Sequence, residues 1–395
     1  MSDGRQSRLL LEQLVAFDTV SRTSNLSLVA FIRDYLDELG VPSQLVYNDA
    51  GSKANLWATI GPDDCGGIVL SGHTDVVPVD GQAWTFPPFK LTESDGKLYG
   101  RGSADMKGFL ACVLAAVPTF LAMPLRIPVH LAFSYDEEVG CLGVRSLIEH
   151  IKKQAHPPVA CIVGEPTELK PIVGHKGKLA MRCHVRGAPC HSAYAPKGVN
   201  AIEYASQLIV KLTAMGIELR NKPSDHRFDP PFTTVQTGTI SGGNALNIVP
   251  AECRFDWEVR TLPGVDGEQI CNELKHYAYQ EVEPLMRAVQ ADTGIHFEPL
   301  QNYPGLLLDQ NDSLAKFIAL LARSSDFSTV AFGTEGGLFH QAGIPTVICG
   351  PGSMAQGHKP DEFIEITQLR ECDAMLSHLA SGLSSEEVLK KVLMC

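Results

Sequence analysis

Five side chains that bind divalent metals well, His73, Asp105, Glu138, Glu165 and His358, each stand just after a short apolar run or inside a glycine-rich turn. Imidazole nitrogen combined with carboxylate oxygen is borderline-soft ligation, and one carboxylate can bridge two cations about 3.5 to 4 Å apart. The set therefore reads as a two-metal hydrolytic site, with Asp105 as the bridging candidate. Ser71-Gly72-His73-Thr74-Asp75 follows the apolar run Ile68 to Leu70. On an extended chain residues i and i+2 share a face, so the Asp75 carboxylate is expected to accept the second N–H of His73 and fix its tautomer. Glu137 and Glu138 are adjacent, and extended backbone would point them opposite ways, one toward metal and one toward an attacking water. Taken singly, each of these residues is an ordinary solvated group. Acids that close fully apolar strands, however, are costly to bury without cation partners.

The elements that must position them alternate. A helix over residues 26 to 39 is predicted by Leu28, Phe31, Ile32, Tyr35, Leu36 and Leu39 at helical spacing, ended by Gly40. Strands at 68–71, 129–135 and 159–164 then alternate with helices at 106–119 and 142–153. That rhythm implies an α/β fold, a mostly parallel mixed sheet with helices on both faces. In such sheets ligands gather outside the carboxyl ends of the strands, where His73, Asp136-Glu137-Glu138 and Glu165 all fall. After Gly177 the order becomes strand 179–186, helix 199–213, strands 233–240 and 251–260, helix 268–291 and strand 295–300, the βαββαβ order of a ferredoxin-like α+β sandwich. The expected organisation is a discontinuous catalytic domain, 1–178 and 298–395, with an inserted domain at 179–297.

Composition narrows the function classes. The chain has 395 residues and a formal net charge of -12, with no Lys/Arg run longer than a pair, so neither nucleic acid nor an anionic membrane is an expected partner. No apolar stretch is long enough to span a bilayer, and Met1 to Phe17 lacks the pattern of a secretory signal. The eleven cysteines form no CxxC pair, which suits reduced thiols and a cytoplasmic location. No GxSxG elbow and no phosphate-binding GxxxxGK[ST] loop is present.

The chain resembles the M20 metallopeptidase family. The likeness is carried by Gly72-His73-Thr74-Asp75-Val76-Val77-Pro78, Gly102-Ser103-Ala104-Asp105-Met106-Lys107-Gly108, Asp136-Glu137-Glu138, Gly164-Glu165-Pro166-Thr167, His191-Ser192-Ala193, and Gly350-Pro351-Gly352 running to His358-Lys359-Pro360-Asp361-Glu362. The resemblance implies two Zn²⁺ ions, with Co²⁺ or Mn²⁺ as substitutes, one held by His73, Asp105 and Glu165 and the other by Asp105, Glu138 and His358. It makes Glu137 the general base and Asp75 the residue that orients His73. The inserted domain becomes a lid through which two copies dimerise, each lending His191 to its partner's site as an oxyanion donor. Arg260 and Asn247 match lid residues that meet a substrate carboxylate. The implied reaction is hydrolysis of a small N-acyl amino acid, with N2-acetyl-L-ornithine foremost and desuccinylase, aminoacylase or dipeptidase chemistry as alternatives. A non-catalytic binding protein on the same scaffold is the alternative from another class. In Gly333-Thr334-Glu335-Gly336-Gly337 the glycines let backbone approach a ligand, and Glu335 is expected to pair with a substrate ammonium. One departure stands out: where the family often has Trp-x-x-Asp-Pro-Phe, this chain has Trp84-Thr85-Phe86-Pro87-Pro88-Phe89.

Overall fold

A computed structural model describes residues 4–222 and 224–392. Residues 1–3 and 393–395 of the expected catalytic segments, and Pro223 of the inserted one, lie outside the described residues. The chain divides into two compact units, one running to Gly174 and resuming at Leu306–Thr329 and from Thr334 onward, the other comprising His175–Gly305 and Val330–Gly333.

The first unit is built on a mixed sheet whose strands lie in the order Ser43–Tyr47, Ala54–Ile60, Val129–Ser134, Ile68–His73, Ala160–Pro166, Thr346–Gly350, Ile172–His175 and Leu306–Leu307. The four strands from Val129–Ser134 to Thr346–Gly350 run parallel. They are buried along their whole length, which is why they read as continuous apolar runs without alternation. Helices Arg5–Val15, Lys107–Ala122 and Ile366–Leu383 share one core cluster with Ile68, Leu70 and Ile162. Val69, buried but outside that cluster, belongs to the opposite face, as do the contacts of helices Gly143–Ile151 and Gly336–Gln341 with the sheet. A separate three-stranded ribbon, Phe363–Glu365 with Lys97–Tyr99 and Thr92–Ser94, joins two loops of this unit. The edge strand Ser43–Tyr47, its neighbour Ala54–Ile60 and the helix Arg5–Val15 have no counterpart in the pattern read from sequence. The edge strand Ser43–Tyr47 is only half-buried, so it lacks the apolar run that marked the central strands.

The second unit is an antiparallel sheet in the order Thr234–Gly242, Glu252–Thr261, Gly177–Arg186, Gly294–Tyr303. This is the split βαβ arrangement. Leu179, Met181, Cys183 and Val185 face Leu208 and Leu212 of helix Ala201–Arg220 and Ile270 and Leu274 of helix Gly267–Tyr277 in one apolar layer. In chain order the first strand begins at Gly177 and the last ends at Tyr303, so the compact unit is wider than residues 179–297. The continuous helix expected over 268–291 is interrupted. An α-helix Gly267–Tyr277 passes through a π-helical turn, Ala278–Val282, into a second helix, Glu283–Val289, that carries a proline in its first turn. Pro284 has no N–H to donate backward, and the widened turn absorbs the missing bond. Among the described residues no helix is long and apolar enough to cross a membrane.

Candidate metal centre

His73 closes the strand Ile68–His73 and Glu165 stands near the end of Ala160–Pro166, so parallel register delivers both to one sheet edge. Both are buried, at 1% and 3% side-chain exposure, with His73 Nε2 3.9 Å from Glu165 Oε1. Asp105 comes from the turn before helix Lys107–Ala122, and its two oxygens are divided between two imidazoles. Oδ1 lies 3.1 Å from His73 Nε2, and Oδ2 lies 3.3 Å from His358 Nε2. His358 Nε2 is also 3.0 Å from Glu138 Oε2. Ligand atoms around one tetrahedral cation, at bond lengths near 2.0 to 2.2 Å, sit roughly 3.3 Å apart. The observed spacings are short enough for these side chains to share cations.

Three further observations fit cations in this pocket. The backbone carbonyl of Asp75 accepts from His73 Nδ1 at 2.9 Å, which directs Nε2 toward Asp105. Glu138 Oε1 is buried without a hydrogen-bond partner. Burial and neighbouring acids push the carboxyls upward: Glu137 and Glu165 well above the ordinary range and Glu138 to about 7, in each case with burial as the largest cause. Asp105 moves the other way despite its burial, because His358 and His73 donate to it. The hydrogen bonds that His358 donates to Asp105 and Glu138 in turn raise it to about 10. So many acids in so little water carry a large repulsion that divalent cations relieve.

Two sequence expectations need correction. The Asp75 carboxylate does not take the second N–H of His73. That bond goes to the Asp75 backbone oxygen, and Oδ1 stands 3.7 Å from the ring nitrogen. Instead the carboxylate accepts the backbone N–H of Glu137 at 3.1 Å and of Glu138 at 3.3 Å, together with the Ser21 hydroxyl at 2.7 Å. Nor do Glu137 and Glu138 lie on extended chain. The strand ends at Ser134, Asp136 takes φ 55°, and a turn follows, so both carboxylates face one cluster. His73, Glu137 and Glu165 have ligand atoms within 4.8 Å of one another, and so do His73, Asp105 and Glu138. Lys53 secures this turn by pairing with Asp136 at 2.5 Å. Ser21 and Lys53 escaped the sequence reading because a lone serine or lysine far away in the chain carries no local pattern.

Glu335 is also corrected. It is 1% exposed, and its two oxygens accept from the hydroxyls of Ser134 and Ser71 on neighbouring strands. Burial raises it to about 7. A carboxylate enclosed behind the strand ends has no face to offer a substrate ammonium.

The remaining candidates lie in the second unit. His191 is exposed. Its Nδ1 accepts the N–H of Ala193 at 3.1 Å, so the neutral ring carries its proton on the outward Nε2. Asn247 is its neighbour across a short bridge: the Asn247 carbonyl accepts the N–H of Ser192 at 3.0 Å. Arg260 is half-buried, and its guanidinium engages Glu258 through Nε at 3.0 Å and the Tyr303 hydroxyl through Nη1 at 3.3 Å. A substrate carboxylate would have to share this fork with Glu258.

Comparison with known proteins supplies the class of protein to which this site and sheet belong. The pattern that defines peptidase family M20/M25/M40 matches residues 69–382, and the chain belongs to that family. It is 35% identical to an acetylornithine deacetylase from Myxococcus xanthus, over 94% of this chain and 95% of that one. Among solved structures it superposes on an M20 family metallo-carboxypeptidase from Sulfolobus solfataricus with TM-score 0.78 at 18% identity, covering 97% and 100% of the two chains. A dinuclear metal binding peptidase of the same family from Bacillus subtilis gives 0.63 at 16% identity, covering 95% and 97%.

Proposed function

We propose that this protein removes the acetyl group from N2-acetyl-L-ornithine, using two zinc ions. The observation that carries the reading is the Asp105 carboxylate with one oxygen toward each of two imidazoles, beside a third buried acid, Glu137. His73, Asp105 and Glu165 form one ligand set, and Asp105, Glu138 and His358 the other. Cations held there would polarise an amide carbonyl and lower the pKa of water. Glu137, whose burial favours the protonated form, takes the proton of the attacking water and returns it to the amine nitrogen as the C–N bond breaks. His191 donates from Nε2 to the oxygen of the tetrahedral intermediate. Arg260 and Asn247 are the proposed contacts for the substrate carboxylate, with Arg260 reorganising its bond to Glu258.

The lid and dimerisation roles of the inserted domain belong to the same proposal, with His191 supplied by a second copy. Support comes from helix Ala201–Arg220, where Ile202, Val210 and Ile217 form an exposed apolar stripe. The strand Thr234–Gly242 lies at a sheet edge and pairs on one side only among the described residues. A stripe and an open edge on one unit are what a two-fold interface between copies would cover.

The test is ornithine release from N2-acetyl-L-ornithine by zinc-loaded protein, before and after chelation, beside N-acetylleucine, N-succinyl-diaminopimelate and a dipeptide. Chelator-sensitive release, with acetylornithine preferred, is the expected result. Preference for another member of the panel would move the substrate within the family, and turnover insensitive to chelation would overturn the metal reading. Cobalt or manganese restoring activity would leave the residue roles intact.

A further inference from the structure

The two strand-borne ligands need no special support, but Asp105 and His358 both sit in irregular chain. His358 has φ 64° and lies in the loop between strands Thr346–Gly350 and Phe363–Glu365. Its side chain is 54% exposed. What fixes these two ligands is a buried ion pair that neither the metal set nor the proposed proton transfer uses. Glu362 and Arg101 are each 1% exposed and pair at 2.8 Å. The Glu362 carboxylate also accepts three consecutive-turn backbone donors: Gly102 N–H at 3.0 Å, Ala104 N–H at 2.9 Å and Asp105 N–H at 3.0 Å. One carboxylate thus holds the whole turn that presents Asp105.

Arg101 carries the connection to His358. Its Nη1 donates to the Lys359 carbonyl at 3.2 Å and its Nη2 to Gln82 Oε1 at 2.6 Å, while Gln82 Nε2 donates to the His358 carbonyl at 3.0 Å. The guanidinium stacks on Trp84 at 4.9 Å, and Trp84 Nε1 donates to the same Gln82 oxygen. The Glu362 carbonyl accepts Gly100 N–H, so backbone and side chain of one residue grip both ends of the turn. Charge-assisted bonds of this kind, removed from water, are strong and directional.

We propose that Glu362 and Arg101 are positioning residues that set the spacing of Asp105 and His358, and through it the affinity of the second metal position. The proposal rests on the two-metal reading and deepens it. The first position keeps His73 and Glu165 on rigid strands. The second depends on turn-borne ligands alone, so loosening the ion pair weakens it selectively.

The experiment is stepwise titration of metal-free protein with cobalt(II) chloride, read by visible absorbance and by calorimetry, with melting temperature measured alongside. Glu362→Gln keeps one acceptor oxygen but turns an NH₂ toward the other donors, and Arg101→Lys keeps the charge but loses the fork. In both, one equivalent should weaken about 10- to 100-fold while the other changes by less than about threefold, as for residues that orient ligands without touching metal. Gln82→Ala, which cuts the link from Arg101 to the His358 carbonyl but leaves the bonds of Glu362 to the Asp105 turn, should give the same selective pattern at smaller size, and it decides the matter together with Arg101→Lys if Glu362→Gln does not fold. Folded variants binding both equivalents as the unaltered protein does would overturn the proposal. So would parallel weakening of both equivalents in step with a lower melting temperature, which marks a purely structural pair. If the unaltered protein takes fewer than two equivalents, the two-metal reading falls and this inference with it; two equivalents with unaffected variants removes this inference alone.

Discussion

The candidate centre has two halves held by different physics. His73 and Glu165 stand on buried parallel strands, where sheet hydrogen bonds and packing leave their side chains almost no freedom. Asp105, Glu137, Glu138 and His358 come from turns, two of them beside or at residues with positive φ, Asp136 and His358. Such backbone persists only where its surroundings over-determine it. Here the surroundings repeat one device. A buried carboxylate accepts consecutive backbone N–H groups of the turn: Asp75 those of Glu137 and Glu138, and Glu362 those of Gly102, Ala104 and Asp105. Each anchor is itself tied to another segment, Asp75 by Ser21 and Glu362 by Arg101. Strands position by lattice, and turns position by anchored acids.

The most severe break falls on the turn-borne half. Glu137→Gln should lower kcat by about 10²- to 10⁴-fold, the usual contribution of a positioned general base. Metal content and melting temperature should stay as in the unaltered protein, since the bond that Glu137 Oε1 accepts from the Cys141 thiol, at 3.4 Å, is a long and weak one. Loss of one metal equivalent in this variant would turn Glu137 from base into ligand.

The strand-borne half has its own weakness, independent of the site. His130 on strand Val129–Ser134 is 5% exposed, stacks on Trp57 at 4.7 Å and meets Thr59 Oγ1 at 3.0 Å. Burial lowers it from 6.5 to about 4. Between those values the unfolded chain binds a proton that the folded chain refuses, so stability is full above pH 6.5 and declines as pH falls toward 4. The loss attributable to this ring is about 3 kcal/mol. In His130→Phe the urea midpoint should therefore fall less between pH 6.5 and 4 than in the unaltered protein. An identical decline in both would show that the frame is not where acid sensitivity resides.

Asp75→Asn separates the two roles that one residue has been given. An amide there turns a donor toward the two backbone N–H groups it should accept, so the turn carrying Glu137 and Glu138 loosens. The expected loss is about 10- to 100-fold in kcat, with KM little changed and the His73 ring still held through the Asp75 carbonyl. Disrupted His73 tautomer or metal binding at the strand-borne position, read from the cobalt spectrum, would restore the carboxylate-to-imidazole role that spacing alone suggests.

Why spacing suggested it is instructive. The parallel strands are legible because strands buried on both faces write themselves as apolar runs, and the positions of His73 and Glu165 at their ends are legible with them. The long helix through Pro284 was misread because an apolar period persists across a π-helical turn that the proline demands. Asp75 and Glu335 were misassigned for one reason: local sequence gives the side a residue starts from, but not which distant donors reach it. Ser71 and Ser134 enclose Glu335 from strands far away in the chain, and Ser21 reaches Asp75 from the segment after the first helix. Glu362 closes the motif that runs from His358, and Arg101 directly precedes the one that begins at Gly102, yet their pairing joins segments that only the fold brings together.

Ser21 gives the mildest test of the anchored-acid idea. Its hydroxyl, on a residue 8% exposed, donates to Asp75 Oδ2 at 2.7 Å. In Ser21→Ala the carboxylate still accepts two backbone donors, so no buried acceptor is stranded and the stability cost should be about 1 kcal/mol. The turn should keep its shape, and kcat should fall by less than in Asp75→Asn. If Ser21→Ala instead matched or exceeded Asp75→Asn in lost turnover, the hydroxyl rather than the backbone contacts would be the element that holds the acid, and the two halves of the centre would differ less than their geometry implies.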